Sequence, residues 1–360
     1  MIDEETNPTV QNEPGSNDYE ETKNGQWRLN MQNLIRQRLT PVGRLIVAGL
    51  LASIAGFSDS AAAADQTFGV LLKNIKNPFW SATDEGAKDA GKEIGVDVYV
   101  LASESDADVA PQLDICNTML QRKTDALIVA AVNPTGLLPC LAQATKKGIP
   151  VLDIDANLIQ DVAEKAGVNV ANSIGSDNRH AGALGADYIA KRLAKGKVLL
   201  LEGAPGALTA TDRRDGFKEE LAKVAPDLQI VASLTANWDR GKAADVTNDL
   251  LTRYPDLAVI FASNDQMALG AAEAARAAGK KDLMIVGVDG NPDAIQAIKE
   301  GRLTASVAQL PYLFGYNGVK MAKDILAGKK FEPWKQAVPV LVLDKAVLDA
   351  KTEPLLKYVR

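Results

Sequence analysis

From residue 67 onward, short and almost wholly apolar runs alternate with amphipathic segments of helical period. Such runs are typical of parallel strands that are buried on both faces and joined by helices. In the first half, the predicted strands are 67–72, 96–101, 126–129 and 151–154. The predicted helices between them are 80–94, 106–122 and 137–147. This alternation predicts an open, doubly wound α/β sheet.

The same alternation restarts after the polar stretch 176–178 and predicts a second doubly wound sheet of similar size. Its predicted strands are 197–201, 229–232, 258–261 and 283–288. Its predicted helices are 178–193, 211–224, 240–253, 266–278 and 292–299. Near the end, we expect the segment 303–308, a helix at 312–326 and the segment 338–343 to cross back between the halves. No low-complexity linker separates the halves, so we expect several short crossings rather than one flexible tether.

The charge and the metal-binding residues limit the classes of function. The chain of 360 residues carries 46 acidic and 40 basic side chains, a net charge of −6, and it has no basic block. This balance disfavours a nucleic-acid partner. One His and two Cys are too few for an ordinary zinc or iron site, so we expect neither a metal nor a cofactor.

The N-terminal leader, residues 1–30, is polar, with seven acidic and two basic side chains and no apolar periodicity. We expect the leader to be disordered. A signal peptide begins with its basic region, so the acidic leader indicates a mis-called start.

The segment 31–64 has the parts of a secretory signal peptide in their proper order. It opens at Met31 with a basic region, continues as the apolar run 45–57 and ends in four alanines before Asp65. The arginines of the basic region are Arg36, Arg38 and Arg44. The apolar run has 13 residues, which is short for a membrane span, and a short membrane anchor is the alternative. The segment predicts export to the periplasm, with cleavage after about Ala64.

Polar and aromatic side chains follow the predicted strands at the points where those strands end. In an open parallel sheet, ligands bind beyond these carboxyl ends. In the clearest segment, a turn at Asn77-Pro78 delivers Phe79 and Trp80 to the sheet edge. Aromatic faces stack on the C–H faces of sugars, although the two rings also fit a cap over the core. The same edge receives the segments 153–155, 202–206, 213–214, 237–240, 263–265 and 289–292. Three residues of this set fit ordinary helix caps, namely Asp239, Asp265 and Asn291.

Five motifs of this set resemble the signatures of periplasmic sugar-binding proteins of the ribose/allose group. These are type I solute-binding components of ABC transporters. The motifs are Asn77-Pro78-Phe79-Trp80, Asn237-Trp238-Asp239-Arg240, Ser263-Asn264-Asp265-Gln266-Met267-Ala268, Val286-Gly287-Val288-Asp289-Gly290 and Val307-Ala308-Gln309-Leu310-Pro311. The resemblance runs from about residue 67 to residue 343, in order and at matching spacing.

The resemblance implies the type I periplasmic binding protein fold, in which two α/β lobes joined by three crossings close on one sugar. We expect an N-terminal lobe of 65–176 with 310–338, and a C-terminal lobe of 177–309 with 339–360. The implied ligand-binding residues are Lys73, Asn77, Phe79, Trp80, Asp155, Arg213, Trp238, Asn264, Asp289 and Gln309. The implied partners are a monosaccharide and a membrane permease, with a chemoreceptor as an alternative, and we expect a monomer.

Two departures from the family pattern bear on which sugar binds. Ribose binders of the group usually carry Arg after the fourth-strand Asp, where this chain has Ala156, and a small residue in place of Lys73. The combination of Lys73 with Phe79-Trp80 and Trp238 is closer to allose-type members. A neutral, allose-like hexose is therefore favoured, and another pentose, a ketohexose or a polyol remains open.

An enzyme is the competing hypothesis with some support in the sequence. Asp153 and Asp155 are two residues apart, so on a strand they would share a face and could pair, either in catalysis or on ligand hydroxyls. The single histidine, His180, starts a predicted helix, and we expect it to face solvent. No phosphate-binding glycine motif occurs. A sugar-responsive transcription regulator would need a DNA-binding segment before residue 67, where a signal peptide is predicted instead.

The two cysteines each lie on the apolar stripe of a predicted helix, Cys116 on 106–122 and Cys140 on 137–147. In a strand order of 2-1-3-4, these helices lie side by side on one face of the sheet. Export would place the thiols in an oxidising compartment. We expect a disulfide, with two buried free thiols as the alternative.

Overall fold

The computed structural model describes residues 66–359, and the predicted leader and signal peptide lie outside this range. The described strands are β1 (Thr67–Leu72), β2 (Asp97–Ala102), β3 (Ala126–Val129), β4 (Val151–Ile154), β5 (Val170–Ser176), β6 (Gly196–Glu202), β7 (Leu228–Thr235), β8 (Leu257–Ala262), β9 (Met284–Asp289), β10 (Ala305–Ala308), β11 (Lys335–Val338) and β12 (Leu341–Asp344). They form two six-stranded sheets.

The helices cover the two sheets. They are α1 (Pro78–Ile94), α2 (Val109–Met119), α3 (Leu138–Lys146), α4 (Gln160–Lys165), α5 (Asn178–Ala190), α6 (Leu208–Val224), α7 (Arg240–Arg253), α8 (Asp265–Ala277), α9 (Pro292–Lys299), α10 (Pro311–Leu326) and α11 (Lys345–Ala350), followed by a 3₁₀ turn at Pro354–Tyr358. Within residues 66–359, no helix combines the length and the apolar character that a membrane crossing needs.

The first sheet has the strand order β2-β1-β3-β4-β5-β11, and all its pairs are parallel. The second has the order β7-β6-β8-β9-β10-β12, and only the β10–β12 pair is antiparallel. Strands β3 and β4 are buried along their whole length, because helices cover both faces of the sheet. The predicted fold class, two doubly wound α/β lobes, is confirmed.

Three short segments connect the lobes. The chain crosses between β5 and α5, crosses back between β10 and α10, and crosses a third time between β11 and β12. The segment 338–343, expected to cross back between the halves, holds parts of two strands in different sheets, and the crossing lies at residues 339–340 between them.

Strand β5 and helix α4 were missed from the sequence. The strand contains Asn172, Ser173 and Ser176, all buried, so it does not form the apolar run that identified the other strands. Helix α4 has only six residues, too few to show helical period.

The predicted disulfide is present and joins Cys116 on α2 to Cys140 on α3. Both residues are wholly buried in a cluster of apolar side chains on one face of the first sheet. The two cysteines are 24 residues apart in the sequence. Closing a loop of this length stabilises the folded chain by about 2–4 kcal/mol.

Helices α5 and α6 of the second lobe pack at very short distance, and this fixes where α6 presents Arg213. A Cβ added to Gly182 would lie 2.1 Å from the Arg213 carbonyl oxygen. A Cβ added to Gly216 would lie 2.0 Å from the Arg179 carbonyl oxygen. Only glycine at both positions allows this approach, so the two helices hold Arg213 at the sheet edge.

Candidate functional site

The carboxyl ends of the strands in both lobes border one cavity, which holds about 330 Å³ of space together with its open mouth. Nine of the ten predicted ligand-binding residues line it, namely Lys73, Asn77, Phe79, Trp80, Asp155, Arg213, Trp238, Asn264 and Asp289. The tenth, Gln309, does not, whereas Asp106 and Thr209 do. The sequence analysis therefore identified most of the cavity wall.

The aromatic residues of the first lobe are set by the start of α1. The Asn77 side chain accepts a hydrogen bond from the Phe79 amide at 3.1 Å and so caps the helix. Pro78 at the first helical position fixes the backbone entering the helix. The Phe79 and Trp80 rings meet edge to face with centroids 4.7 Å apart, and both are buried.

Lys73 and Asp155 form a buried ion pair beside these rings. The Lys73 amine lies 2.6 Å from Asp155 Oδ2 and 5.1 Å from the centroid of the Trp80 ring. Asp155 follows β4 with φ of 86°, a conformation uncommon outside glycine, and this turns its carboxylate toward Lys73.

Asp153 does not join Asp155 in a carboxylate pair at the cavity. Its Oδ2 accepts hydrogen bonds from the Ser173 hydroxyl at 2.8 Å and the Leu158 amide at 3.2 Å. Complete burial raises the pKa of Asp153 to about 7. The residue lies inside the first lobe, so the feature that most favoured an enzyme is a structural one. His180 is exposed, as predicted.

Arg213 and Asp289 form the corresponding pair in the second lobe. Arg213 Nη1 donates to the Ser263 carbonyl at 2.6 Å and lies 3.4 Å from Asp289 Oδ1, while its Nε donates to Asn178 at 2.8 Å. Burial raises the pKa of Asp289 to about 7, and the nearby Arg213 charge opposes this rise.

Gln309, the tenth predicted ligand-binding residue, contacts Asp289. It is wholly buried, and its Nε2 donates to Asp289 Oδ1 at 2.8 Å. Its Oε1 is buried without a hydrogen-bond partner among the described residues. Gln309 therefore orients Asp289, and its contact with the ligand stays a prediction.

Trp238 reaches the cavity because of a glycine in another segment. Asn237 and Trp238 both have positive φ, 53° and 64°, in the turn after β7. A Cβ added to Gly203 would lie 2.1 Å from the Trp238 indole, so the ring packs directly on the Gly203 backbone. Asn264 caps α8 through the Met267 amide at 2.9 Å and donates to the Trp238 carbonyl at 3.4 Å.

The three residues that fitted helix caps behave differently from one another. Asp239 caps α7 through the Lys242 amide at 2.7 Å. Asn291 occupies the capping position of α9 without a side-chain bond to it. Asp265 is the first residue of α8 and is wholly buried, where it accepts hydrogen bonds from the Ser306 hydroxyl and the Asn291 amide.

Asp106 was missed because the sequence placed it at the start of a helix that in fact begins at Val109. It lies beyond the carboxyl end of β2 and accepts hydrogen bonds from Trp80 Nε1 at 2.7 Å and Asn77 Nδ2 at 3.1 Å. Burial raises the pKa of Asp106, and the hydrogen bond from Asn77 opposes this. Applying the strand-end rule to β2 would have identified it.

The lobes contact each other directly around the cavity. Asn291 Nδ2 of the second lobe lies 3.5 Å from Asn77 Oδ1 of the first. Asn157 Oδ1 of the first lobe accepts from the Leu208 and Thr209 amides of the second. The ionic residues of the cavity, Lys73, Asp155, Arg213 and Asp289, are each no more than 5% exposed. The structure therefore represents the closed arrangement of the lobes.

Among residues 66–359, no group of three or more His, Cys, Asp or Glu side chains is arranged to hold a metal ion. The cavity instead combines aromatic faces with ion pairs and side-chain amides, which is the chemistry of hydroxyl recognition. A family model described as a periplasmic binding protein domain matches residues 68–330. The chain belongs to this family.

This periplasmic binding protein matches its relatives over most of their length. The D-allose-binding periplasmic protein of Escherichia coli is 35% identical over 305 residues, 84% of this chain and 96% of that protein. A ribose import binding protein of Salmonella typhimurium is 35% identical over 272 residues, 75% of this chain and 88% of that protein. A solved solute-binding protein of Actinobacillus succinogenes with bound D-allose is 32% identical, with a TM-score of 0.75, covering 79% of this chain and 100% of that one.

Proposed function

We propose that this protein is the sugar-binding component of an ABC transporter and captures one neutral monosaccharide, an allose-like hexose, between its closing lobes. The observation that carries the proposal is the cavity itself. Aromatic faces and two buried ion pairs, contributed by both lobes, converge on a space of about 330 Å³ including its mouth.

Phe79 and Trp80 from one lobe and Trp238 from the other would stack on the faces of the ring. Asp155, Asp289 and Arg213 would each bond ring hydroxyls, since charge-assisted hydrogen bonds are the strong ones. Each cation already lies beside a carboxylate, so the site needs no charge on its ligand. Asp106 adds a third carboxylate, which would repel a sugar acid.

The pocket residues favour a hexose over ribose, although a D-allose-binding relative and a ribose-binding relative are each 35% identical to the chain over the residues they match. Ala156 and Lys73 stand where the pattern of ribose binders differs. Asp106 supplies a further acceptor at the cavity mouth, where it also borders a wider space between the lobes. A six-carbon sugar has an additional hydroxymethyl group that such an acceptor would hold.

The mechanism follows from the closed contacts. Since the ring touches both lobes only when they are closed, its binding shifts the population from open to closed. We propose that the N-terminal lobe comprises residues 65–176 with 310–338, and the C-terminal lobe residues 177–309 with 339–360. A permease would bind the closed form of this monomer, and a chemoreceptor is the alternative partner. The protein binds its sugar without chemical change.

We propose further that the protein works in the periplasm after cleavage following Ala64. The basic region, apolar run and alanine-rich site before Asp65 support this. N-terminal sequencing of the exported protein should begin at or next to Asp65. Recovery of a mature form that retains residues 1–30 would contradict it.

Native mass spectrometry of the purified protein tests the proposed ligand class. We expect a species heavier by one neutral hexose, lost after denaturation and refolding. A co-purified sugar acid, nucleotide or peptide in its place would overturn the proposal.

A further inference from the structure

Asn157 is a wholly buried residue of the first lobe that reaches into the second. It follows Asp155 and Ala156, whose φ angles of 86° and 57° turn the chain sharply after β4. This turn aims the Asn157 amide at the first turn of α6, the helix that carries Arg213.

The two ends of the Asn157 amide bond to different lobes. Its Oδ1 accepts hydrogen bonds from the backbone amides of Leu208 at 3.1 Å and Thr209 at 3.3 Å. Its Nδ2 donates to Asp155 Oδ2 at 3.0 Å, within its own lobe. The opposite orientation of the amide would set donor against donors and acceptor against acceptor, so the partners fix it.

Helix α6 has no side-chain cap from its own segment, because Ala207 occupies the capping position. Other helices are capped from their own segment, namely α1 by Asn77, α5 by Asp177, α7 by Asp239, α8 by Asn264 and α11 by Asp344. The first amides of α6 receive their acceptor from the other lobe. This cap therefore exists only while the lobes are together.

We propose that Asn157 is a closure latch that ties occupancy of the sugar site to locking of the lobes. Asp155, which holds Lys73 and lines the cavity, orients the Asn157 amide. The backbone amide of Thr209, which also lines the cavity, donates to the Asn157 side-chain oxygen. Opening the lobes breaks both bonds to α6, so the latch slows the release of the sugar. The latch rests on the proposed function for the identity of the sugar and on the interlobe contact for its mechanism.

Two substitutions remove the latch from opposite sides. Asn157→Ala removes the acceptor. Leu208→Pro removes one donor, since proline at the first helical position keeps the helix and the extended Ala207 backbone tolerates it. Leu208→Ala controls for the lost leucine side chain.

Asn133→Ala is the matched control. Asn133 Oδ1 also accepts from two backbone amides, those of Thr135 at 3.0 Å and Gly136 at 2.7 Å, but all three residues lie in one loop of the first lobe. Its bonds persist whether the lobes are open or closed.

The first readout is the D-allose dissociation rate together with the ligand-free unfolding midpoint. We expect Asn157→Ala to speed dissociation by about threefold to thirtyfold, the effect of losing a helix cap, with little change in association or ligand-free unfolding. Asn133→Ala should lower the ligand-free midpoint and leave dissociation unchanged. Leu208→Pro should speed dissociation relative to Leu208→Ala and add nothing to Asn157→Ala.

The proposal is overturned if Asn157→Ala and Asn133→Ala release D-allose equally fast. Full additivity of Leu208→Pro with Asn157→Ala would overturn it as well.

The second readout is the closed fraction of the ligand-free protein, from electron–electron distance measurements with one spin label on each lobe. It needs no sugar, so it separates failure of the latch from failure of the proposed ligand. Asn157→Ala should lower the closed fraction relative to Asn133→Ala. A parent protein that is never closed, alone or with any sugar, would show that the contact does not form in solution.

Discussion

Removal of the Asp289 carboxylate should weaken sugar binding strongly while leaving the ligand-free fold almost unchanged. Asp289 is the last residue of β9. Its carboxylate accepts a hydrogen bond from Gln309 Nε2 at 2.8 Å and lies 3.4 Å from Arg213 Nη1. In Asp289→Ala, the closed form would hold Arg213, only 4% exposed, without this counter-charge. The side-chain amide of Gln309 would also lose its acceptor.

The expected size follows from these contacts. Truncating one partner of a buried, hydrogen-bonded charge pair costs about 2–5 kcal/mol of binding, which is about 30-fold to 5,000-fold in Kd. Asp289→Asn keeps the shape and an acceptor for Gln309, so its loss should be smaller. We expect an open, ligand-free form to expose Arg213 to water, so the ligand-free unfolding midpoint should change little in either variant.

Isothermal titration with D-allose, run above pH 7 so that the parent carboxyl with its pKa of about 7 is ionised, measures the effect. Thermal unfolding of the ligand-free proteins is the control. The reasoning is refuted if Asp289→Ala binds as tightly as the parent, or if Asp289→Asn loses more affinity than Asp289→Ala.

Three further substitutions test other parts of the account. Gly203→Ala should displace the Trp238 ring and weaken D-allose binding by at least about threefold, the effect of losing an aromatic contact. An unchanged Kd by titration would show that binding does not need the ring. Asp106→Ala should weaken D-allose more than D-ribose, because the mouth acceptor is lost along with the partner of Trp80 Nε1; equal losses would contradict its role in selecting a hexose. Burial raises the pKa of Asp153 from 3.8 to about 7. Between these pH values the folded state therefore binds more protons than the unfolded state. The free energy of unfolding should fall as the pH rises through that window, by about 4 kcal/mol in all. Asp153→Asn should flatten this fall in denaturant titrations, and an identical pH profile would refute the assignment.

The fold was predictable because most of the parallel strands are buried on both faces and so form short, almost wholly apolar runs. β1, β3 and β4 have the predicted bounds. β5 was not predictable by this rule, since Asn172 and Ser173 are buried within it among polar partners. The apolar run 338–343 does not reveal in the sequence that its two ends join different sheets.

Most of the cavity wall was predictable because the carboxyl ends of parallel strands meet at one edge. The side-chain contacts of the predicted residues were not predictable in this way. Gln309 belongs to a motif of the family pattern, and the structure adds that its side chain donates to Asp289. The bond between Asn157 and α6 depends on how the two lobes meet, and no local pattern in the sequence encodes that placement.

The sugar specificity proposed for the cavity is best tested by titrating the ligand-stripped protein with a panel of neutral hexoses, pentoses and polyols, with tryptophan fluorescence as the signal. Trp80 and Trp238 line the cavity from opposite lobes, so closure on a sugar should change the signal saturably. We expect one site per chain that binds D-allose, with D-ribose binding more weakly. Binding of none of these sugars, or tighter binding of D-ribose than of any hexose, would contradict it.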